Sequence, residues 1–225
     1  HELRTPMNGI IGMGDLLALE DLTPEQQELL HHQRESAERL MVLINHLIKL
    51  SALEAGHVRL RNCPFAVSGM LEGLVSGQQK AAAAKNIVLS LHADPALPDI
   101  LIGDLDRLRQ VFNHLVGNAI KFTDRGTISV SNRLVDRQDK IVRVAFSVVD
   151  TGPGMNAEQL QAISGLLVQG DGSSIRKHGG IGVGLPISRK LIELMGGELS
   201  VESQVGKGST FRFTLPFALP ENDEA

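Results

Sequence analysis

The chain has 225 residues, 42% of them hydrophobic, with 22 lysines and arginines against 26 aspartates and glutamates and a formal charge of −4. This is enough apolar material for one large or two small domains, and the charge balance, with seven phenylalanines but no tryptophan or tyrosine, argues against a nucleic-acid partner. No apolar run approaches the roughly 20 residues of a membrane helix, and Cys63, the only cysteine, excludes an intrachain disulfide and a cysteine-based zinc site and fits a reducing, cytoplasmic setting.

From His1 to about Gly56 the apolar period is helical. Leu3, Met7, Ile10, Gly14 and Leu17 follow a 4-3-4-3 spacing, the seam of a coiled coil or bundle. A second helix is expected from "TPEQ", where Thr23 caps, Pro24 suits the first helical position and Gln26 completes a capping box. Its seam runs Leu30, Gln33, Ala37, Leu40, Ile44 and Leu47, and Gly56 offers a stop. The pair forms an antiparallel hairpin over residues 1–56 with too few neighbours to cover both seams. Two hairpins make a four-helix bundle, so a homodimer is the economical expectation; packing on the rest of the same chain is the alternative.

Residues 57–218 change to mixed α and β. Strand candidates are "HVRLR", "NIVLSLHA", "GTISVSNRLV", "IVRVAFSVVD", "GELSVES" and "STFRFTLPF", with helices near Ser68–Ala84, Asp104–Phe122, Asn156–Ile163 and Leu185–Met195. This order predicts an α+β sandwich, helices layered on one face of a sheet. Residues 219–225 are polar and read as a linker or frayed tail.

Three features of this second domain belong together. In "DRLRQVFNHLVGNAIKFTDRG", His114, Asn118 and Lys121 fall at spacings of four and three and share one helical face. An amide oxygen and an ammonium there suit a magnesium-bound polyphosphate, although an ordinary polar face carries the same residue types. In "VVDTGPGM" a strand ends on Asp150, and two glycines turn the chain tightly enough for a ligand to approach its backbone. An ionised carboxylate at that place accepts from an exocyclic amine such as that of adenine, although turns use the same residues. In "RKHGGIGVGLPIS", Gly179, Gly180, Gly182 and Gly184 precede a helix whose first amides attract phosphate. Their spacing is not that of a dinucleotide fold, and "VGKGST" reads as a hairpin turn, not a Walker loop.

In this order and spacing the three resemble the N, G1 and G2 boxes of the GHKL (Bergerat) ATP-binding fold, shared by Hsp90, MutL, type II topoisomerases and sensor histidine kinases. The opening "HELRTP" resembles the H box of the histidine kinases, and "GNAIKFTDRG", "SSIRKHGG" and "VGKGSTF" are similar to hybrid-type sensor kinases. The resemblance spans essentially the whole chain and implies ATP and Mg2+ as cofactors. It makes His1 the phosphoacceptor and Glu2 the base. Thr5 would help direct water onto a phosphorylated response regulator. Asn118 would hold magnesium, Lys121 would meet the phosphates and Phe122 would line the pocket. Asp150 would read adenine, with Gly152 and Gly154 shaping the pocket. Arg176 and Lys177 would belong to a mobile lid, Gly180, Gly182, Gly184 and Leu185 would close the phosphate end, and Thr210 would line the site. The residues agree with a reactive His1: it lies off the seam, neutral imidazole is a good nucleophile, and Pro6 has no N–H for the carbonyl of Glu2, so the helix should bend there. Implied partners are a second copy, a response regulator or receiver domain, and possible pairing with another sensor kinase. The chain reads as the cytoplasmic part of a larger, inner-membrane sensor, its first helix starting about four turns upstream.

Two departures matter. Relatives mostly carry asparagine at position 114, and His114 is a poor replacement as a magnesium ligand, because that ion prefers oxygen; a role as base or phosphate contact is the weaker expectation. The lid box of relatives, Phe-x-Pro-Phe, aligns with Ser164–Leu167, which lacks aromatic anchors. Gly165, Gly170 and Gly172 should loosen that loop, with Leu166, Leu167 and Val168 as substitute anchors. The leading reading is an ATP-dependent histidine kinase core. The alternative is a degenerate kinase acting as a regulatory binding module, or a phosphatase, toward another kinase or a response regulator.

Overall fold

The capping box expected at "TPEQ" is present in the computed structural model: Thr23 N donates to Gln26 Oε1 at 2.9 Å and Gln26 N to Thr23 Oγ1 at 3.3 Å. It starts α2 (Pro24–Glu54), joined by a short connection to α1 (Arg4–Leu17). The structure describes residues 4–54, 58–169 and 184–220, in two units, residues 1–57 and 58–225. Gly56, and Glu2 on the far side of the bend expected at Pro6, lie outside the described residues.

Within the hairpin Met7, Ala37 and Ile44 are buried, with Ile11 and Met41 packed against them. Four described residues of the expected seams are exposed: Ile10, Leu17 and Leu40, at 44%, 52% and 46%, and Gln33. The helical period explains the difference. Met7, Ile11 and Gly14 form one stripe against α2, which leaves Ile10, Met13 and Leu17 on a second stripe that this hairpin does not cover.

The second unit contains β1 (Cys63–Ala66), α3 (Val67–Ala83), β2 (Ile87–His92), β3 (Ile100–Gly103), α4 (Leu105–Phe122), β4 (Gly126–Gln138), β5 (Ile141–Asp150), α5 (Ala157–Gln169), α6 (Gly184–Leu194), β6 (Glu198–Gln204) and β7 (Gly208–Ala218). The strands form one sheet in the order β1-β3-β7-β5-β4-β2, with β6 also paired to β7. Only β2–β4 is parallel among the described pairs. The described part of "HVRLR" forms no strand: residues 58–62 are irregular, and Arg61 N is tied to Asp104 Oδ2 at 2.8 Å. The chain pairs instead at β1, where Pro64 is tolerated because the strand is a sheet edge, and at the equally short β3. Cys63 lies on β1 and is exposed.

α5 starts from a reciprocal cap between Asn156 and Gln159 and runs to Gln169, beyond the expected Ile163. Ser164–Leu167 is therefore helical, not a loop, with Gly165, Leu166, Leu167 and Val168 inside the helix. Gly170 and Gly172 lie outside the described residues.

Strand alternation builds the core. Val142, Val144, Phe146, Val148 and Asp150 of β5 are buried, while the residues between them are exposed or half-buried. Leu108, Val111, Phe112, Leu115, Val116, Ala119 and Ile120 form the buried stripe of α4. Phe146 sits among the rings of Phe112, Phe213 and Phe217 at centroid distances of 5.4, 5.2 and 6.1 Å. Removing its ring leaves a cavity that rigid neighbours cannot fill. Phe146→Ala should cost about 3–5 kcal/mol in denaturant unfolding of this unit, whereas Val88→Ala, at a 63% exposed position, should stay within about 0.5 kcal/mol.

Candidate nucleotide-binding site

Helix α4 is fixed at both ends. Asp104 caps its start, Oδ1 accepting from Arg107 N at 3.0 Å. At its end the Lys85 ammonium donates to the carbonyls of Ile120, Lys121 and Thr123 at 2.9, 2.8 and 3.4 Å, a cation placed where the helix dipole favours one. With the apolar stripe on the sheet, the other face presents half-buried His114 and Asn118 and exposed Lys121. The Lys121 ammonium lies 5.2 Å from the ring centroid of Phe122, which is 47% exposed.

Asp150 ends β5 on the helix-covered face and is 7% exposed. Its Oδ1 accepts from Gly152 N at 2.9 Å and Ser209 N at 3.3 Å. Burial pushes the carboxyl above the usual carboxylate range, and the two amides oppose that rise. The turn after Asp150 is locked to the β6–β7 hairpin: Gly206 N donates to Pro153 O at 2.7 Å, Met155 N to Ser203 Oγ at 2.9 Å, and Ser203 Oγ to Gly208 O at 2.9 Å. Gly154 (φ 66°) and Gly208 (φ 99°) are required here, since a Cβ would collide with the carbonyl of Gln204 at the first and of Asp150 at the second.

Strand register separates two neighbours. Asp150 pairs with Ser209 and Val149 with Thr210, so Thr210 points away from the carboxylate to the open face of the sheet. Ser209, not Thr210, is the residue beside the carboxylate. "KFTDRG" contributes a further residue that its pattern does not announce: Thr123 is fully buried, and its hydroxyl has no hydrogen-bond partner among the described residues. A Cβ on Gly152 would stand 2.9 Å from Asp150 Oδ1 and 3.0 Å from Thr123 Oγ1, so only glycine lets the backbone pass this close to the carboxylate and the unpaired hydroxyl. An orphan hydroxyl of this kind costs about 1–3 kcal/mol until something bonds it.

At the other end of the face, His114 Nδ1 lies 3.0 Å from Ser188 Oγ, and Gly184 and Leu185 open α6. Among the described residues no group of three His, Cys, Asp or Glu side chains could hold a metal. The Asn118 amide offers an oxygen on this face, a donor type that suits magnesium. Thr5 lies exposed in the first turn of α1. His1, Glu2, Arg176, Lys177, Gly180 and Gly182 lie outside the described residues.

Residues 103–219 match the family of histidine kinase-, DNA gyrase B- and HSP90-like ATPases, and residues 1–56 match the His Kinase A (phospho-acceptor) domain. The chain belongs to the histidine kinases. It is 40% identical over 224 residues to the sensor protein GacS of Pseudomonas syringae pv. syringae, covering 100% of this chain and 25% of that protein. It is 38% identical to the histidine-protein kinase BarA of Escherichia coli K12, covering 99% and 24%. Against hybrid signal transduction histidine kinase L of Dictyostelium discoideum it is 38% identical, covering 96% and 13%. The chain thus spans a quarter or less of these relatives. Among solved structures it is similar to full-length ShkA in complex with AMPPNP, with TM-score 0.77, 34% identity, and coverage of 98% of this chain and 45% of that one. The nucleotide-free catalytic domain of the kinase ThkA matches at TM-score 0.54 and 26% identity, over 69% of this chain and 95% of that one. The helical hairpin and the α+β sandwich are thus the two domains of a histidine kinase core.

A buried carboxylate held by two backbone amides costs the fold stability. With its pKa raised, Asp150 favours the unliganded fold when protonated and loses that contribution as pH rises through the raised pKa. Asp150→Asn keeps the Oδ1 acceptor and stays neutral. Without nucleotide it should melt higher than wild type at pH 7.5, with the gap closing by about pH 4; thermal melts across that range check this.

Proposed function

We propose that this chain is the catalytic core of a hybrid-type sensor kinase, which phosphorylates His1 from ATP and passes the phosphoryl group to an aspartate of a receiver domain. The observation that carries this reading is the buried Asp150 carboxylate, held by Gly152 N and Ser209 N, in the same chain as the phosphoacceptor sequence "HELRTP". ATP with magnesium supplies an electrophilic γ-phosphoryl group. Asp150 accepts from the adenine amine, Ser209 N and Gly152 N hold that carboxylate in place, and Phe122 lines the base. Lys121 meets phosphate oxygens and Asn118 gives its amide oxygen to magnesium. By the family resemblance, Gly180, Gly182, Gly184 and Leu185 would close the phosphate end, and Arg176 and Lys177 would belong to a lid. On the substrate side, the imidazole of His1 attacks while Glu2 takes or holds its other proton. Positioning and electrostatics carry most of such a transfer.

The hairpin supports pairing with a second copy. Ile10, Met13, Leu17 and Leu40 leave an apolar surface that a four-helix bundle would bury. No helix among the described residues is long and apolar enough to cross a membrane, and we place the core on the cytoplasmic side of a larger sensor.

The test is autophosphorylation with γ-labelled ATP and magnesium. An acid-labile, alkali-stable label that disappears in His1→Gln is the expected result. A folded dimer that takes no label would sink the kinase reading in favour of a regulatory module.

A further inference from the structure

Nothing in the family resemblance assigns a role to Ser188, and position 114 departs from it. In the structure these two residues meet. Ser188 is fully buried on the second turn of α6, and its hydroxyl lies 3.0 Å from Nδ1 of half-buried His114 on α4. The same imidazole lies against the first residue of α6, since a Cβ on Gly184 would stand 3.3 Å from His114 Cγ. One side chain of α4 therefore touches two successive turns of α6. His114 is also one turn before Asn118 and two turns before Lys121 on a shared face.

We infer that His114 is a positioning residue: through its bond to Ser188 it sets the start of α6, with Gly184 and Leu185, at a fixed distance from the Asn118–Lys121 face of α4. The inference rests on the nucleotide site proposed above and gives position 114 a task other than metal ligation or proton transfer. A serine hydroxyl both donates and accepts, so the bond forms with either imidazole tautomer. An imidazole ring also fills the space over Gly184 that any side chain on that glycine would contest. Both walls of the phosphate end then move as one piece, and the bond acts on polyphosphate affinity because Asn118 and the first amides of α6 must face the same group.

The test is a double-mutant cycle on ATP affinity, measured by calorimetry with magnesium on the 225-residue chain. Ser188→Ala removes the buried hydroxyl together with its need for a partner, so it is the cleaner single change; His114→Asn restores the residue of the relatives. Each should weaken ATP binding about 3- to 10-fold, the worth of one hydrogen bond. The double variant should be no weaker than the poorer single, and Ser188→Thr, which keeps the hydroxyl, should recover most of the loss. In autophosphorylation the loss should appear in the KM for ATP. Unchanged affinity in Ser188→Ala, or losses that multiply in the double variant, would overturn the inference while leaving the nucleotide site intact. So would a His114→Asn whose rate at saturating ATP falls about 100-fold, the mark of a general base. A wild-type chain with no ATP affinity would overturn the site and the inference together.

Discussion

A carboxylate held out of water at the end of a central strand constrains everything around it. Burial penalises the charge of Asp150, and two backbone amides from separate segments, Gly152 and Ser209, offset that penalty. For Ser209 to reach it, β7 must stay paired with β5 to the last residue of β5, where a side chain at position 208 would strike the carbonyl of Asp150. For Gly152 to reach it, the chain must turn at once, and the turn is held by Pro153, Met155 and Ser203 against the β6–β7 hairpin. Hairpin, turn and strand end support one another, so a change in any of them is felt at the carboxylate.

The helix layer answers to a similar constraint. The apolar stripe of α4 fixes its rotation on the sheet, Asp104 and Lys85 fix its ends, and Ser188 meets its exposed side through His114. Asn118 and Lys121 need no polar scaffold of their own, because the helix that carries them is already determined in rotation and length. Lys85 lies 35 residues from the carbonyl of Ile120 that it caps. Such long-range capping fixes the end of α4 without using its own side chains.

Much of this was legible in the residues. The capping box at Thr23, the shared face of His114, Asn118 and Lys121, and the strand ending on Asp150 are local patterns with local causes. Patterns that depend on distant partners were not. β1 and β3 are four residues each, too short to show alternation, and they form because they pair with one another and with the end of β7. Thr210 and Ser209 differ by one residue in a period of two, which reverses the face, and only the register with β5 decides between them. Thr123 and Ser188 carry no sequence signal, since an ordinary hydroxyl becomes informative only once its burial is known. In the hairpin the heptad merged two stripes, one buried within the hairpin and one left outside, because both recur every three or four residues.

The central claim is that Asp150 reads the amine of adenine, and guanine supplies the sharpest contrast. It presents a carbonyl oxygen at that position, which faces the carboxylate as acceptor to acceptor. Binding of ATP and GTP should be compared by calorimetry on the wild-type chain and on Asp150→Asn. If the carboxylate reads the amine, wild type prefers ATP by about 100-fold or more, as a site built to bond one polar group rejects the analogue lacking it. In Asp150→Asn the side-chain amide can donate to the guanine carbonyl, so the preference should collapse or invert. Equal affinity of the wild-type chain for the two nucleotides, or a preference that Asp150→Asn leaves unchanged, would contradict it.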